Sequence, residues 1–161
     1  MRVLGVDPGT RTTGYGVIDK QGSSLHMVTF GVVAPGGKPP LPERLKIIHD
    51  GLAEVIAAWH PEVLSLEEAF YGKSVQSTLR IGEARAMALL CAAEAGIPVA
   101  QYAPAMVKRA AVGHGGAHKS QVQAMVQRLL GLAALPEPED AADALAIAIC
   151  HCHRSNLRAL G

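Results

Sequence analysis

Aromatic side chains are scarce in this chain: Phe, Tyr and Trp make up 4% of its 161 residues. A core built around large rings is excluded; Ala, Val, Leu and Gly dominate instead, which suits close packing of helices on a sheet. Cysteines number three, Cys91, Cys150 and Cys152. So odd and sparse a set gives no disulfide framework and points to reduced thiols in a cytoplasmic protein. Long apolar runs are missing as well. The longest, Ala86 to Ala93, falls far short of a membrane span. Asp7 and Pro8 interrupt the N-terminus where a signal peptide needs an unbroken apolar stretch. No repeat and no low-complexity tail is present, and the net charge is only +1.

What is there is a chain that is 49% apolar, long enough to bury a sizeable core as one domain spanning 1–161. The charge is small but unevenly spread. Between Ala69 and Leu130 seven Lys and Arg residues face only Glu83 and Glu94, a local excess of +5; carboxylates are in excess elsewhere. A basic stripe beside an acidic cluster suits a surface that handles a polyanion with metal ions. Charge alone leaves a solvated helix face equally open.

Periodicity and punctuation divide the chain. Residues 2–8, 13–20 and 24–34 read as three strands of a meander, separated by Pro-Gly and Gln-Gly-Ser turns. Helical spacing runs over 41–59, with Leu45, Ile48, Leu52, Val55 and Ile56 on one face. "PEVLSLEEAF" (61–70) reads as a buried strand, 75–95 as an Ala-rich helix stopped by Gly96, and 97–102 as another strand. Helices over 104–112, 119–131 and 138–159 complete the order βββαβαβααα, an α/β domain.

One stretch is out of keeping with this pattern. "VLGVDPGTRTTGYGV" (3–17) begins as a strand meant for burial, yet Asp7 follows it directly. A bare carboxylate there costs several kcal/mol unless something compensates it. Glu67 and Glu68 end the fourth strand in the same way. Asp140 and Asp143 open "EDAADALAIAIC", a helix apolar on every side but for Asp143 and therefore expected to be buried against the sheet. Asp140 has an ordinary explanation in the helix dipole. Asp143, one turn later among alanines, does not, and the two lie on one helix face.

Strand ends at one sheet edge plus that helix face can gather Asp7, Glu67, Asp140 and Asp143. Four carboxylates alone would repel and raise each other's pKa. Two Mg²⁺ or Mn²⁺ ions balance them and prefer oxygen ligands; such a pair clamps the attacking and leaving oxygens of a phosphodiester. Pro8 then biases Asp7 towards extended geometry, and Gly9 removes bulk beside the ion or phosphate. Surface carboxylates and helix caps remain the alternative at this point.

The segments "GVDPGTRTTGYGVI", "LSLEEAF", "VKRAAVGHGGAHKSQV" and "EDAADALAIAICHCH", in this order and at these intervals, resemble the RuvC family of Holliday junction resolvases. The resemblance covers nearly the whole chain. It implies a ribonuclease H-like fold, with a mixed five-stranded sheet flanked by helices. It also implies two Mg²⁺ or Mn²⁺ ions per active site on Asp7, Glu67, Asp140 and Asp143, with Glu68 outside the ligand set. Lys108 and Lys119 match lysines used near the scissile phosphate, and Phe70 matches an aromatic used against unstacked bases. Lys73 and Arg80 are further expected DNA contacts. A homodimer that nicks two like-polarity strands of a four-way junction is implied, as is work beside the RuvA and RuvB branch-migration proteins.

Other residues carry smaller expectations. "CHCH" (150–153) alternates two soft ligands, but neighbours on a helix point about 100° apart and cannot chelate one ion. His114 and His118 flank Gly-Gly in a basic loop, where a phosphate contact competes with simple solvation. Leu79, Ala86, Leu89 and Leu90 fit either a core or a dimer seam. An ATP-using phosphotransferase of the actin type shares an Asp-x-Gly-Thr turn but closes two domains over its nucleotide. A junction-binding module without catalysis would bind independently of divalent cations.

Overall fold

Alternation of side chains along the first strand decides which residues meet the last helix. In the computed structural model, which describes residues 1–68 and 74–158 with side chains to 155, β1 spans Arg2–Asp7. Leu4 and Val6 point to one face and Val3, Gly5 and Asp7 to the other. β2 (Thr13–Gln21) and β3 (Ser24–Val33) complete the antiparallel meander. α1 (Leu41–Trp59) leads to β4 (Val63–Glu67), α2 (Val75–Ala95) to β5 (Val99–Tyr102). α3 (Pro104–Val112), α4 (Lys119–Leu129) and α5 (Glu139–Arg158) follow. The sheet order is β3-β2-β1-β4-β5, with β4 parallel to β1 and to β5, the mixed five-stranded sheet expected.

Boundaries differ from the sequence reading by one to three residues, and proline accounts for three of the differences. β1 stops at Asp7 because Pro8 has no N–H to continue the ladder. β4 starts at Val63, two residues after Pro61, and β5 starts at Val99, after Pro98. The predicted strand residues 69 and 70 lie outside the described residues.

Two cores flank the sheet. Leu4, Val6, Val17, Leu64 and Leu66 pack on Ile48, Leu52, Val55 and Ile56 of α1 and on Ala84, Ala88 and Ala92 of α2. On the other face α5 lies between the sheet and α3 with α4, so Leu145, Ile147 and Ile149 are buried alongside Val107, Val122 and Val126. This explains why α5 is apolar all round, as expected for a helix covered on every side.

α5 sits unusually deep. A Cβ on Gly5 would lie 2.1 Å from the carbonyl oxygen of Ala144, and one on Gly14 2.0 Å from that of Asp140. Ser65 on β4 is buried and donates its hydroxyl to the Ile147 carbonyl at 3.0 Å. Small residues on β1 and β2 thus let the helix backbone rest on the sheet and bring its acidic end level with Asp7. Gly5→Ala is accordingly expected to cost about 3 kcal/mol, because only backbone can yield. Urea denaturation measures this; an unchanged midpoint would mean that α5 lifts freely.

Candidate active site

The β1–β4 register carries the first half of the site. Val6 lies opposite Leu66, so the next residues, Asp7 and Glu67, leave adjacent parallel strands at one edge. Both continue the strand face that meets α5. Glu68 follows the end of β4 and is exposed. α5 supplies the second half. Ligand oxygens of Asp7, Asp140 and Asp143 all lie within 4.8 Å of one another. Glu67 stands on the wall of the same cavity, about 460 Å³, together with Lys108 and Lys119.

The turn after Asp7 is closed by Thr13. Its buried hydroxyl donates to the Gly9 carbonyl at 2.7 Å and accepts from the Gly9 N–H at 3.3 Å. A Cβ on Gly9 would meet the Thr12 carbonyl oxygen at 2.5 Å. The glycine is therefore required by the turn itself, in addition to the open approach expected from the sequence.

Electrostatics follow from this burial. Asp7 is pushed up to about 7, first by burial and then by Asp143, Asp140 and Glu67, with Lys119 opposing. The sequence suggested repulsion as the cause; loss of water proves the larger one. Asp143 is also raised, by burial first, and its ion pair with Lys119 only partly reverses this. Burial draws the Lys119 ammonium down, but hydrogen bonds to Asp143 and Glu139 outweigh it, so its pKa rises overall. Lys119 Nζ lies 2.9 Å from Asp143 and 3.1 Å from Glu139. The cluster thus already holds one cation at its rim. Crowded oxygen donors, one of them held up to about 7 by burial and by its acidic neighbours, fit hard divalent ions well.

Two supporting residues escaped the sequence reading. Glu139 shares Lys119 with Asp143, and Arg85 of α2 donates to the Glu67 carbonyl at 3.3 Å and to the Gln101 side chain. In the sequence Glu139 is simply the residue before Asp140, and Arg85 one charge of the basic excess. Arg80 lines a shallow groove beside the cavity with Thr10, Arg11 and Asp140. Phe70 and Lys73 lie outside the described residues. His118 precedes α4 and its backbone N–H donates to Gln121 at 2.9 Å. "CHCH" disperses as expected: Cys150 and Cys152 are buried, His151 meets the Tyr102 hydroxyl at 2.7 Å, and His153 the Ala110 carbonyl at 3.0 Å.

A family model described as crossover junction endodeoxyribonuclease RuvC matches residues 3–151. The chain is 50% identical to the crossover junction endodeoxyribonuclease RuvC of Chloroflexus aggregans, over 95% of this chain and 93% of that one. It is 47% identical to that of Citrifermentans bemidjiense, over 99% and 97%. Thermus thermophilus RuvC, solved in complex with a Holliday junction substrate, superimposes with a TM-score of 0.93 at 37% identity, covering 98% of this chain and 96% of that one. The yeast mitochondrial Holliday junction resolvase, 16% identical, covers 98% of this chain and 82% of its own with a TM-score of 0.67, which bears on the fold alone. The fold is the ribonuclease H-like one expected.

Proposed function

Because the chain belongs to the RuvC family of crossover junction endodeoxyribonucleases, and is a nuclease, we propose that it resolves four-way DNA junctions by metal-dependent phosphodiester hydrolysis, nicking two strands of like polarity symmetrically. The observation that carries this reading is the convergence of Asp7, Asp140 and Asp143 oxygens within 4.8 Å, on a cavity that also presents Glu67, Lys108 and Lys119.

Asp7, Glu67, Asp140 and Asp143 would hold two Mg²⁺ or Mn²⁺ ions. When bound, such ions supply positive charge to the scissile phosphate and lower the pKa of the attacking water. The protein's part is to keep the carboxylates oriented and partly shielded from solvent, while the charge of the ions would favour their ionised forms. Arg85 fixes the end of β4 through the Glu67 carbonyl, and the turn closed by Thr13 fixes Asp7. Lys119 begins α4 after a glycine-rich loop, so its ammonium can pass from Asp143 to the phosphate as negative charge grows, with Glu139 retaining it nearby. Lys108, on the same cavity wall, adds a second cation. Arg80, beside the cavity, is a further DNA contact on this reading, and so are Phe70 and Lys73, which lie outside the described residues.

A homodimer with two such sites fits the exposed face of α2. Val75, Leu79 and Leu90 are 77%, 62% and 45% exposed, and with Gly82 and the exposed Ala86 they form one stripe at helical spacing. Leu89, by contrast, packs into the core. The same reading has the chain, as one nuclease domain, act beside the RuvA and RuvB proteins in the cytoplasm. Among the described residues no helix is long and apolar enough to cross a membrane.

The direct test is incubation of a synthetic four-way junction with the protein and Mg²⁺ or Mn²⁺. Paired symmetric nicks that vanish in EDTA are expected. Tight binding without product in any divalent cation would instead identify a junction-binding module. A second expectation concerns Lys119→Ala: single-turnover cleavage falls by about 10²-fold, and junction affinity by much less. An affinity loss equal to the rate loss would make Lys119 an ordinary phosphate contact.

A further inference from the structure

On the face of the sheet away from the acidic cavity, α1 and α2 bring together a second and chemically different group of ligands. Cys91 and Glu94 are three residues apart on α2 and share one face. His49 reaches them from α1: its Nε2 lies 2.7 Å from a Glu94 oxygen. Sγ of Cys91 donates to the His49 carbonyl at 3.3 Å. The ligand atoms of His49, Cys91 and Glu94 all fall within 4.8 Å of one another. They are graded in depth, the thiol buried, the imidazole half-buried and the carboxylate at the surface. A cavity of about 510 Å³ opens beside them, with Cys91 and Glu94 in its lining, and gives an entry path.

The remaining ring nitrogen of His49 is also engaged. Nδ1 lies 3.2 Å from Asp50, and Asp50 is itself held by Lys46. A carboxylate on the far nitrogen is the usual orienting partner of a metal-bound imidazole, since it fixes the tautomer and aims Nε2 at the ion. The local chemistry therefore goes beyond a cluster of acidic groups: one sulfur, one nitrogen and one oxygen donor converge, and the nitrogen has its supporting carboxylate.

We propose that His49, Cys91 and Glu94 form a zinc site that joins α1 to α2, with solvent as the fourth ligand. The donor set selects the metal. Thiolate and imidazole suit Zn²⁺, whereas Mg²⁺ prefers oxygen ligands throughout and belongs in the acidic cavity. Two metal sites on opposite faces of one sheet thus separate a hard from a borderline ion. Without zinc, protonated His49 shares its Nε2 proton with Glu94, and Cys91 keeps its thiol proton. Binding breaks the N–H and S–H bonds, forms Zn–N, Zn–S and Zn–O bonds, and releases two protons to solvent.

The test uses the full chain, reduced, with saturating Mg²⁺ present to occupy the acidic cavity. Co²⁺ is the probe, because a thiolate ligand gives it a charge-transfer band and four-coordination gives intense visible bands. One equivalent per chain is expected to produce both, and Zn²⁺ to displace it. Cys91→Ser should abolish the charge-transfer band. Since Cys91 is buried, the exposed Glu94→Gln serves as the second variant, with affinity for Zn²⁺ expected to fall at least about tenfold. Absence of the charge-transfer band in the wild type, or its persistence in a folded Cys91→Ser protein, overturns the proposal. So does a Glu94→Gln variant with unchanged zinc affinity, which would leave His49–Glu94 as an ion-pair clamp only.

Discussion

Asp7→Asn is expected to reduce junction cleavage by on the order of 10³-fold while leaving junction binding at low salt intact. The substitution keeps the size of the side chain and its place at the end of β1. It removes the one carboxylate that faces Asp143, Asp140 and Glu67 together, and with it the charge that would fix the ions. Binding depends on cations meeting DNA phosphates, which the change leaves in place; affinity should even rise slightly as a negative charge disappears. Single-turnover cleavage in Mg²⁺ and junction binding in EDTA separate the two effects. Cleavage within a few-fold of the wild type would remove Asp7 from the site.

The same residue is expected to make the metal-free protein less stable as pH rises. In the unfolded chain Asp7 ionises near 3.8, and in the folded protein at about 7. Below the lower value both states hold the proton and there is no penalty. Between the two the unfolded chain has released a proton that the folded one retains, so stability falls with each pH increment. Above pH 7 the full cost is present, about 4 kcal/mol for a single group shifted this far. Asp143, raised as well, acts in the same direction. In EDTA at pH 8, Asp7→Asn should therefore raise the melting temperature, by roughly 10 °C, with little difference at pH 4. Mg²⁺ or Mn²⁺ should stabilise the wild type at pH 8 by mass action and the variant much less. Thermal melts across pH, with and without divalent ion, measure all of this. A flat wild-type profile in EDTA would mean that Asp7 is satisfied locally.

Asp143→Asn is a less clear case than the sequence suggests. Read alone, Asp143 is a carboxylate stranded among alanines, and its removal ought to relieve repulsion. In the fold it also holds Lys119 at 2.9 Å. Relief of burial and loss of an ion pair then oppose each other, and Asp7 becomes the better probe of the strain in the empty site.

Much of this protein is legible in the sequence because the relevant physics is local. The order of elements follows from period-2 and period-3.6 patterning and from Pro and Gly punctuation, which act over a few residues. Asp7, Glu67 and Asp143 stand out because each interrupts or ends an otherwise apolar pattern, and Asp140 because it shares a helix face with Asp143. Tertiary structure decided the rest. The pairing of Lys119 with Glu139 and Asp143 requires α4 to begin against the first turn of α5. The hold of Arg85 on the Glu67 carbonyl requires α2 to cross the end of β4. Gly5 and Gly14 look like ordinary strand glycines until α5 rests on them, and His49 meets Cys91 and Glu94 only where α1 packs against α2. Each of these depends on the register of one element against another distant in the chain, and side-chain periodicity, which repeats within each element, carries no information about that register.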